Sequence, residues 1–486
     1  GDNTDVPYVA NIAGFSQNDR TNASIKLDYE TDFGTFTAVG AYSITEDFYG
    51  ADSYPYFFDP GLFDTFFPGA TPPGLGAQTQ VTNRRSEIAT LDVRFQSSDD
   101  NRFRWLAGAF YATFDIVNRS STGADTANRL DGIGPFPFGS PNQTLGFLAD
   151  EQDNEAYAFY INTEFDVSDK LTVTASVRYD KETKNQTDVA FPGPANAADP
   201  KGIPTWWFEG WRSREESFSE VQPKFTVRYE LAEEATVYAS WGRGFKTGGF
   251  NPFGAGALIR SFNPTSTVGD LFDKEVADSF EAGAKIRLLD GRLSINLAGF
   301  YTETENAQLL EFFPAATLQA VSIAEGVEMS GGEIDFTLVS AAIEGLTVYG
   351  GVGILNTEVT EFASNPALVG NERPSTSPYT ANFGGTYTRE LPILGGAEGF
   401  GRLDWTFQGE TEWDWPNTPN AARSAIDLVN ARLGMRKDNW EVAFVGKNLT
   451  NTIYNAEHIV LIPAAGIGAL YRAQPRTYGG EVIVRF

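Results

Sequence analysis

The chain has 486 residues, 36 Lys plus Arg against 64 Asp plus Glu, a net charge of -28 and no cysteine. That length exceeds the roughly 250–300 residues at which single soluble cores stop growing, so the chain holds either several domains or one large architecture of another kind. The acidity argues against nucleic acid as a partner, the missing cysteine removes disulfides, thiol catalysis and Cys-ligated metals, and 41% hydrophobic with 14% aromatic content argues against disorder.

The start, Gly1-Asp2-Asn3-Thr4-Asp5, has neither the charged nor the apolar region of a secretory signal. Any such signal is expected to be already removed. No run of about 18 apolar residues occurs, so no membrane helix is expected. The nearest, Ile459 to Leu470, is broken by Pro463, Gly466 and Gly468 and reads as an apolar loop.

The dominant period is two, the mark of strands with two unlike faces. Ile25, Leu27 and Tyr29 alternate with Lys26, Asp28 and Glu30. Ala89, Leu91, Val93 and Phe95 alternate with Thr90, Asp92, Arg94 and Gln96. Leu171, Val173, Ala175, Val177 and Tyr179 alternate with Thr172, Thr174, Ser176, Arg178 and Asp180. The pattern returns at Phe225, Val227 and Tyr229, and again at Leu403, Trp405 and Phe407. Ala421 to Arg436 comes closest to a helical period but also reads as a strand.

Connections alternate in length. Tight ones carry turn formers: Asp32-Phe33-Gly34, Ser97 to Asn101, Ser168-Asp169, Asp290-Gly291 and Lys437-Asp438-Asn439. Long ones lie between them: Tyr49 to Gln80, Asn118 to Asn154, Asn185 to Arg212 and Phe250 to Phe272. This rhythm puts all short turns at one end and all long loops at the other, the anatomy of an outer-membrane barrel. About 17 strands are expected, many long enough for the ~9–11 residues of a crossing. A soluble sandwich also alternates, but its strands usually run about 5–6 residues. The expected fold class is therefore all-β, a transmembrane antiparallel β-barrel, in the outer membrane of a Gram-negative bacterium.

The last strand ends Tyr478-Gly-Gly-Glu-Val-Ile-Val-Arg-Phe486, with Tyr478, Val482, Val484 and Phe486 on one face. Such a terminal aromatic strand resembles the signal read by the barrel-assembly machinery, with Tyr478 and Phe486 as its key residues.

Four stretches resemble the TonB-dependent receptor family, in the family's order. They are Val237 to Asn251 (VYASWGRGFKTGGFN), Glu281 to Tyr301 with EAGAK and DGRLSIN, Gly446 to Asn451 (GKNLTN) with Tyr454, and Pro475 to Gly479 (PRTYG). Arg102 to Tyr111 extends the likeness towards the start. The resemblance is specific for the barrel of a siderophore-receptor type, not for the substrate. It implies a TonB box and a plug of roughly 100–150 residues, one small domain, inside about 22 strands. Nothing before Ser24 is long enough for a plug, so residues 1–486 are expected to be the barrel portion, with plug and first strands outside this chain.

No catalytic constellation stands out. Gly242 to Gly248 is glycine-rich with a lysine but fits neither the P-loop nor the GxGxxG spacing. Asp99-Asp100, Glu215-Glu216 and Glu233-Glu234 sit in turns or strand ends and read as solvated charge. The only histidine, His458, cannot build an imidazole cluster. No enzyme activity, cofactor or metal site is expected.

The loops are unusually aromatic. Tyr54, Tyr56, Phe57 and Phe58 share one, with Phe63, Phe66 and Phe67; Trp206, Trp207 and Trp211 share another; Trp413 and Trp415 follow. Rings bind sugars and flat ligands by stacking; equally, they pack loops together or anchor at the membrane interface. Tyr49 to Gln80 holds Asp52, Asp59 and Asp64 and no Lys or Arg, which disfavours a polyanionic ligand there. The resemblance implies TonB-coupled uptake of a scarce nutrient such as a ferric siderophore, with outer-membrane lipid, TonB and the assembly machinery as partners. The alternatives are uptake of a carbohydrate or another small molecule, a passive porin-like channel, a barrel enzyme, or a soluble carbohydrate-binding protein.

Overall fold

The computed structural model describes residues 12–52, 78–124, 130, 132, 144–189, 211–313, 318–363, 365–392, 395–418, 421–462 and 467–485. The period-two stretches become strands: β1 (Phe15–Thr31), β2 (Gly34–Asp52), β3 (Gln78–Ser97), β4 (Phe103–Ala124), β5 (Thr144–Asp166), β6 (Leu171–Val189) and β7 (Trp211–Ala232). They continue with β8 (Ala235–Lys246), β9 (Gly249–Phe250), β10 (Leu271–Phe272), β11 (Glu275–Leu288), β12 (Leu293–Phe313), β13 (Leu318–Val339) and β14 (Leu346–Glu361). The last are β15 (Tyr379–Leu391), β16 (Ala397–Gln408), β17 (Ile426–Lys437), β18 (Trp440–Lys447), β19 (Asn455–Ile462), β20 (Ile467–Arg472) and β21 (Thr477–Val484). Among the described residues one α-helix, α1 (Ala255–Phe262), lies between β9 and β10.

Among the described residues a 17-stranded sheet holds all but two hairpins. Every strand pairs antiparallel with its chain neighbour from β1 to β8; β8 then pairs with β11, and β18 with β21. The hairpins β9–β10 and β19–β20 sit inside the two connections thus skipped. Among the described residues β1 pairs with β2 and β21 with β18. The antiparallel order puts turns such as 32–33, 167–170, 233–234 and 438–439 at one end and connections such as 247–274, 409–425 and 448–476 at the other. By barrel anatomy the second end is the outer one.

Register keeps one apolar face intact from strand to strand. Leu91 lies opposite Tyr111, Tyr111 opposite Tyr157, Val177 opposite Ile161, and Trp241 opposite both Phe225 and Phe280. Phe383 lies opposite Trp405, and Leu433 opposite Phe444. Ile25, Leu27, Phe159, Leu403, Leu433 and Val482 are all more than half exposed. An exposed apolar face this continuous calls for lipid, and strand pairing supplies the backbone bonds that lipid cannot.

The band has edges. On β11 to β14 the outward rows run Leu288-Leu293-Leu338-Val348, Ile286-Ile295-Phe336-Gly350, Ala284-Leu297-Ile334-Val352 and Ala282-Gly299-Gly332-Ile354. The next row, Phe280-Tyr301-Ser330-Asn356, is aromatic and polar, and the one beyond it is Asp278-Glu303-Glu328-Glu358. Ser330 to Leu338 matches the ~9–11 residues of a crossing strand. Four carboxylates in one row have left the membrane, and part of the large negative charge is thereby placed on the outer extensions.

Three expectations change. The long connections are shorter than read, because Asn118, Asn154 and Asn185 lie inside β4, β5 and β6. Beyond the membrane both faces of a strand are polar, so pairing continues where alternation has stopped. Ile459 to Leu470 is a hairpin, not a plain loop, its arms β19 and β20 flanking the breaker Pro463 to Gly466. Phe250 to Phe272 contains α1, too short for its period to show.

Candidate ligand-binding site

The opposite face lines the lumen, and it is built by one repeated device. Tyr160 lies across from Gly108, Tyr238 from Gly283, and Tyr349 from Gly384. Each ring lies over its glycine: an added Cβ would come within 2.5 Å of the Tyr160 hydroxyl, and within 2.6 Å of Tyr238 and of Tyr349. Each hydroxyl then reaches a carboxylate: Tyr160 donates to Asp92 (2.7 Å), Tyr238 to Glu281 (2.6 Å) and Tyr349 to Asp404 (2.5 Å). An arginine completes two of the three. Arg178 lies 5.5 Å from the Tyr160 ring and donates twice to Asp180; Arg402 lies 5.6 Å from the Tyr349 ring and donates twice to Asp404. The wall is polar yet cross-braced, as a water-filled passage requires.

Residues of the first and third motifs hold loop roots. Asn448, at φ 50°, donates its side-chain amide to Thr452 O, and its carbonyl accepts from Thr452 N. Gly446 must be small because a Cβ there would meet Leu449 Cδ2 at 2.6 Å. Buried Asn251 donates to Gly269 O and Val321 O and accepts from Val321 N, fastening the β8–β11 connection to β13.

At the outer end, three connections pack together. Asn371 Nδ2 donates to Trp415 O (2.8 Å), Glu372 N to Asn417 Oδ1 (2.7 Å), and Ser375 N to Glu412 O (2.8 Å). The third connection joins through His458, whose Nδ1 lies 2.9 Å from Ala421 O. Trp415 is 1% exposed, enclosed by Ala307, Ala324, Val327, Val359 and Phe362, with its indole N–H on Ser322 Oγ (3.2 Å). Trp413 is partly buried, with the Arg423 guanidinium 5.8 Å from its ring. The two indoles therefore part: Trp415 fills the loop core, and Trp413 lies at its surface. Tyr54, Tyr56, Phe57, Phe58, Trp206, Trp207 and Phe486 lie outside the described residues, as does the side chain of Trp211, whose backbone opens β7 opposite Val189. Tyr478 is exposed on the lipid face and stacks on Phe444 at 5.8 Å.

Sequence reasoning missed the acidic side of this layer. The Glu412 carboxyl is pushed up to about 7, by burial first and then by Glu410, Glu372 and Asp414. Its Oε2 has no partner. A folded-state value above the ordinary 4.5 means the folded layer holds the proton more tightly. Stability is thus fully present below about 4.5 and lost as pH rises through about 7. Amide exchange in 409–425 is expected to quicken over that window, and Glu412→Gln to abolish the pH dependence. Among the described residues no group of three His, Cys, Asp or Glu side chains is placed to hold a metal ion.

An apolar belt, a braced polar lumen face and long outer loops define the wall of an outer-membrane β-barrel. Residues 1–449 match the family described as TonB dependent receptor-like, beta-barrel, and the chain belongs to that family. It is 22% identical over 321 residues to the metal-pseudopaline receptor CntO of Pseudomonas aeruginosa, covering 62% of this chain and 39% of that receptor. It is 23% identical over 300 residues to the ferric-pyoverdine 358 receptor of Pseudomonas putida, covering 60% and 32%. The crystal structure of the ferric yersiniabactin uptake receptor FyuA from Yersinia pestis superposes with a TM-score of 0.73 at 15% identity, over 97% of this chain and 62% of that one. The chain thus spans about two fifths or less of these curated relatives. The fold and family are those of outer-membrane transport receptors, not enzymes.

Proposed function

We propose that this chain forms the wall of a TonB-coupled uptake receptor, which captures a small ligand at its outer mouth and passes it along the polar lumen. The ligand class we favour is a ferric siderophore. The observation that carries the reading is the lumen face, a continuous polar wall braced by Tyr160, Tyr238 and Tyr349 behind a lipid belt. The names of the relatives, receptors for metal-pseudopaline and ferric pyoverdine, support the ligand class. In this reading Tyr54, Tyr56, Phe57, Phe58, Trp206, Trp207, Trp211 and Trp413 stack on the ligand at the mouth, and Tyr478 with Phe486 guides barrel assembly. Replacing Trp206, Trp207 and Trp211 with alanine is expected to weaken ligand binding at least tenfold, ~1.4 kcal/mol, with the barrel still folded. Unchanged binding would make these rings packing groups. Uptake that persists when the proton gradient is collapsed would replace energy coupling by a passive channel.

A further inference from the structure

The β8–β11 connection, 247–274, is an ordered strap. Asp270 caps its helix, accepting from Gly254 N (2.8 Å) and Gly256 N (2.9 Å). Its apolar contact is small: Ile259 packs with Val268 and Ala320. Most of its attachment is polar. Gln308 Nε2 donates to Thr247 O and Asp273 O on one flank, and Lys184 Nζ donates to Gly248 O on the other. The densest node is Arg214. Its guanidinium donates to Asp270 O and Asn251 O of the strap and to Gln186 Oε1 and Asp188 Oδ2 of the wall, and lies 4.7 Å from the Phe250 ring.

Beneath the strap, register makes a patch on the lumen side. Asn154 lies opposite Lys184, Gln186 opposite both Gln152 and Arg214, and Asp188 opposite Asp150. Asn154, Gln186, Asp150 and Asp188 are each at least nine-tenths buried. Yet Asn154 Oδ1, Asp188 Oδ1 and Arg214 Nε have no hydrogen-bond partner. Buried polar atoms are almost always satisfied, and leaving one bare is costly. Three in one patch mark hydrogen-bonding capacity that the closed strap leaves unused. The strap meets the cations Lys184 and Arg214 with backbone carbonyls, as a neutral ligand would. Arg214 offsets Asp188, which also takes the strap's Phe253 backbone N–H, while Asp150 adds a second carboxylate beside it, so the open acceptors call for hydroxyl or amide donors rather than an anion.

We propose that the strap is pinned by Arg214 over a cryptic subsite, Asn154–Gln186–Asp188–Arg214, which takes a neutral ligand group bearing both hydrogen-bond donors and acceptors, the strap carbonyls standing in for it. This rests on the uptake reading and narrows its ligand class. The test uses the receptor in outer-membrane vesicles with three probes: a neutral ferric trihydroxamate, a neutral malto-oligosaccharide and an anionic ferric tris-catecholate. Ile259→Cys with Ala320→Cys would staple the strap shut in a chain that has no other cysteine. The reduced form is expected to bind a neutral probe, and oxidation to weaken that binding at least tenfold; Asp188→Leu or Asn154→Leu should also weaken it tenfold. Arg214→Met should speed amide exchange in 247–274 and leave β5 and β6 protected, which reads the pin even where a patch variant fails to fold. Neutral-probe binding indifferent to the staple, or exchange indifferent to Arg214→Met, overturns the proposal. Staple-independent binding of the catecholate alone overturns it and leaves the uptake reading standing. No binding of any probe in the vesicles, with no gradient-dependent uptake of any probe by intact cells, removes both.

Discussion

Trp415→Ala is expected to cost the outer loop layer about 3–5 kcal/mol, the usual range for removing a buried large ring. The indole is enclosed by side chains from β12, β13, β14 and the following loop, so few neighbours can move in without dragging a strand. It also meets Phe362 edge to face at 5.9 Å, and its loss removes the indole N–H that Ser322 Oγ accepts, leaving that hydroxyl its bond to Leu309 O. The barrel wall does not depend on it. Hydrogen exchange should therefore show 362–378 and 409–425 opening while β5, β6 and β7 stay protected. A loss below about 1 kcal/mol, the scale of a surface substitution, would mean that these loops do not close around the ring.

Ile334→Arg is expected to cost about 2–4 kcal/mol, the price of arginine on the lipid face near the midplane. Ile334 sits between Leu297 and Val352, midway through the outward rows of β13. Ser330→Arg, in the row with Tyr301 and Asn356, should cost only about 0–1 kcal/mol, because it reaches the interface. Reversible unfolding from vesicles in denaturant measures both. Equal costs at the two positions would erase the depth scale read from these rows.

The wall was legible because lipid on one side and water on the other impose a strict period of two. Leu171 to Tyr179 and Leu403 to Phe407 carry that pattern openly, and turn formers at 32–34 and 437–439 mark the ends. Legibility fails where the membrane stops. Asn118 and Asn154 belong to strands because their backbones stay paired, while neither side-chain face is apolar. The motif residues could be noted, but their tasks are distant: Asn251 bonds to Val321, seventy positions on, and Trp415 to Ser322, ninety-three positions back. Nothing local separates Trp413 from Trp415. Their environments differ only because β12, β13, β14 and the loop after β14 meet around one of them. The strap patch was hidden for a similar reason, since Asn154, Asp188 and Arg214 become neighbours only through strand register.

One face of this sheet meets lipid and the other an aqueous lumen. Single cysteines at Val173, Val177, Leu403 and Trp405, and at Arg178, Asp180, Arg402 and Asp404, test it directly in intact outer membranes with a water-soluble thiol reagent. The second set is expected to be labelled and the first protected. Labelling of the first set with protection of the second would contradict it.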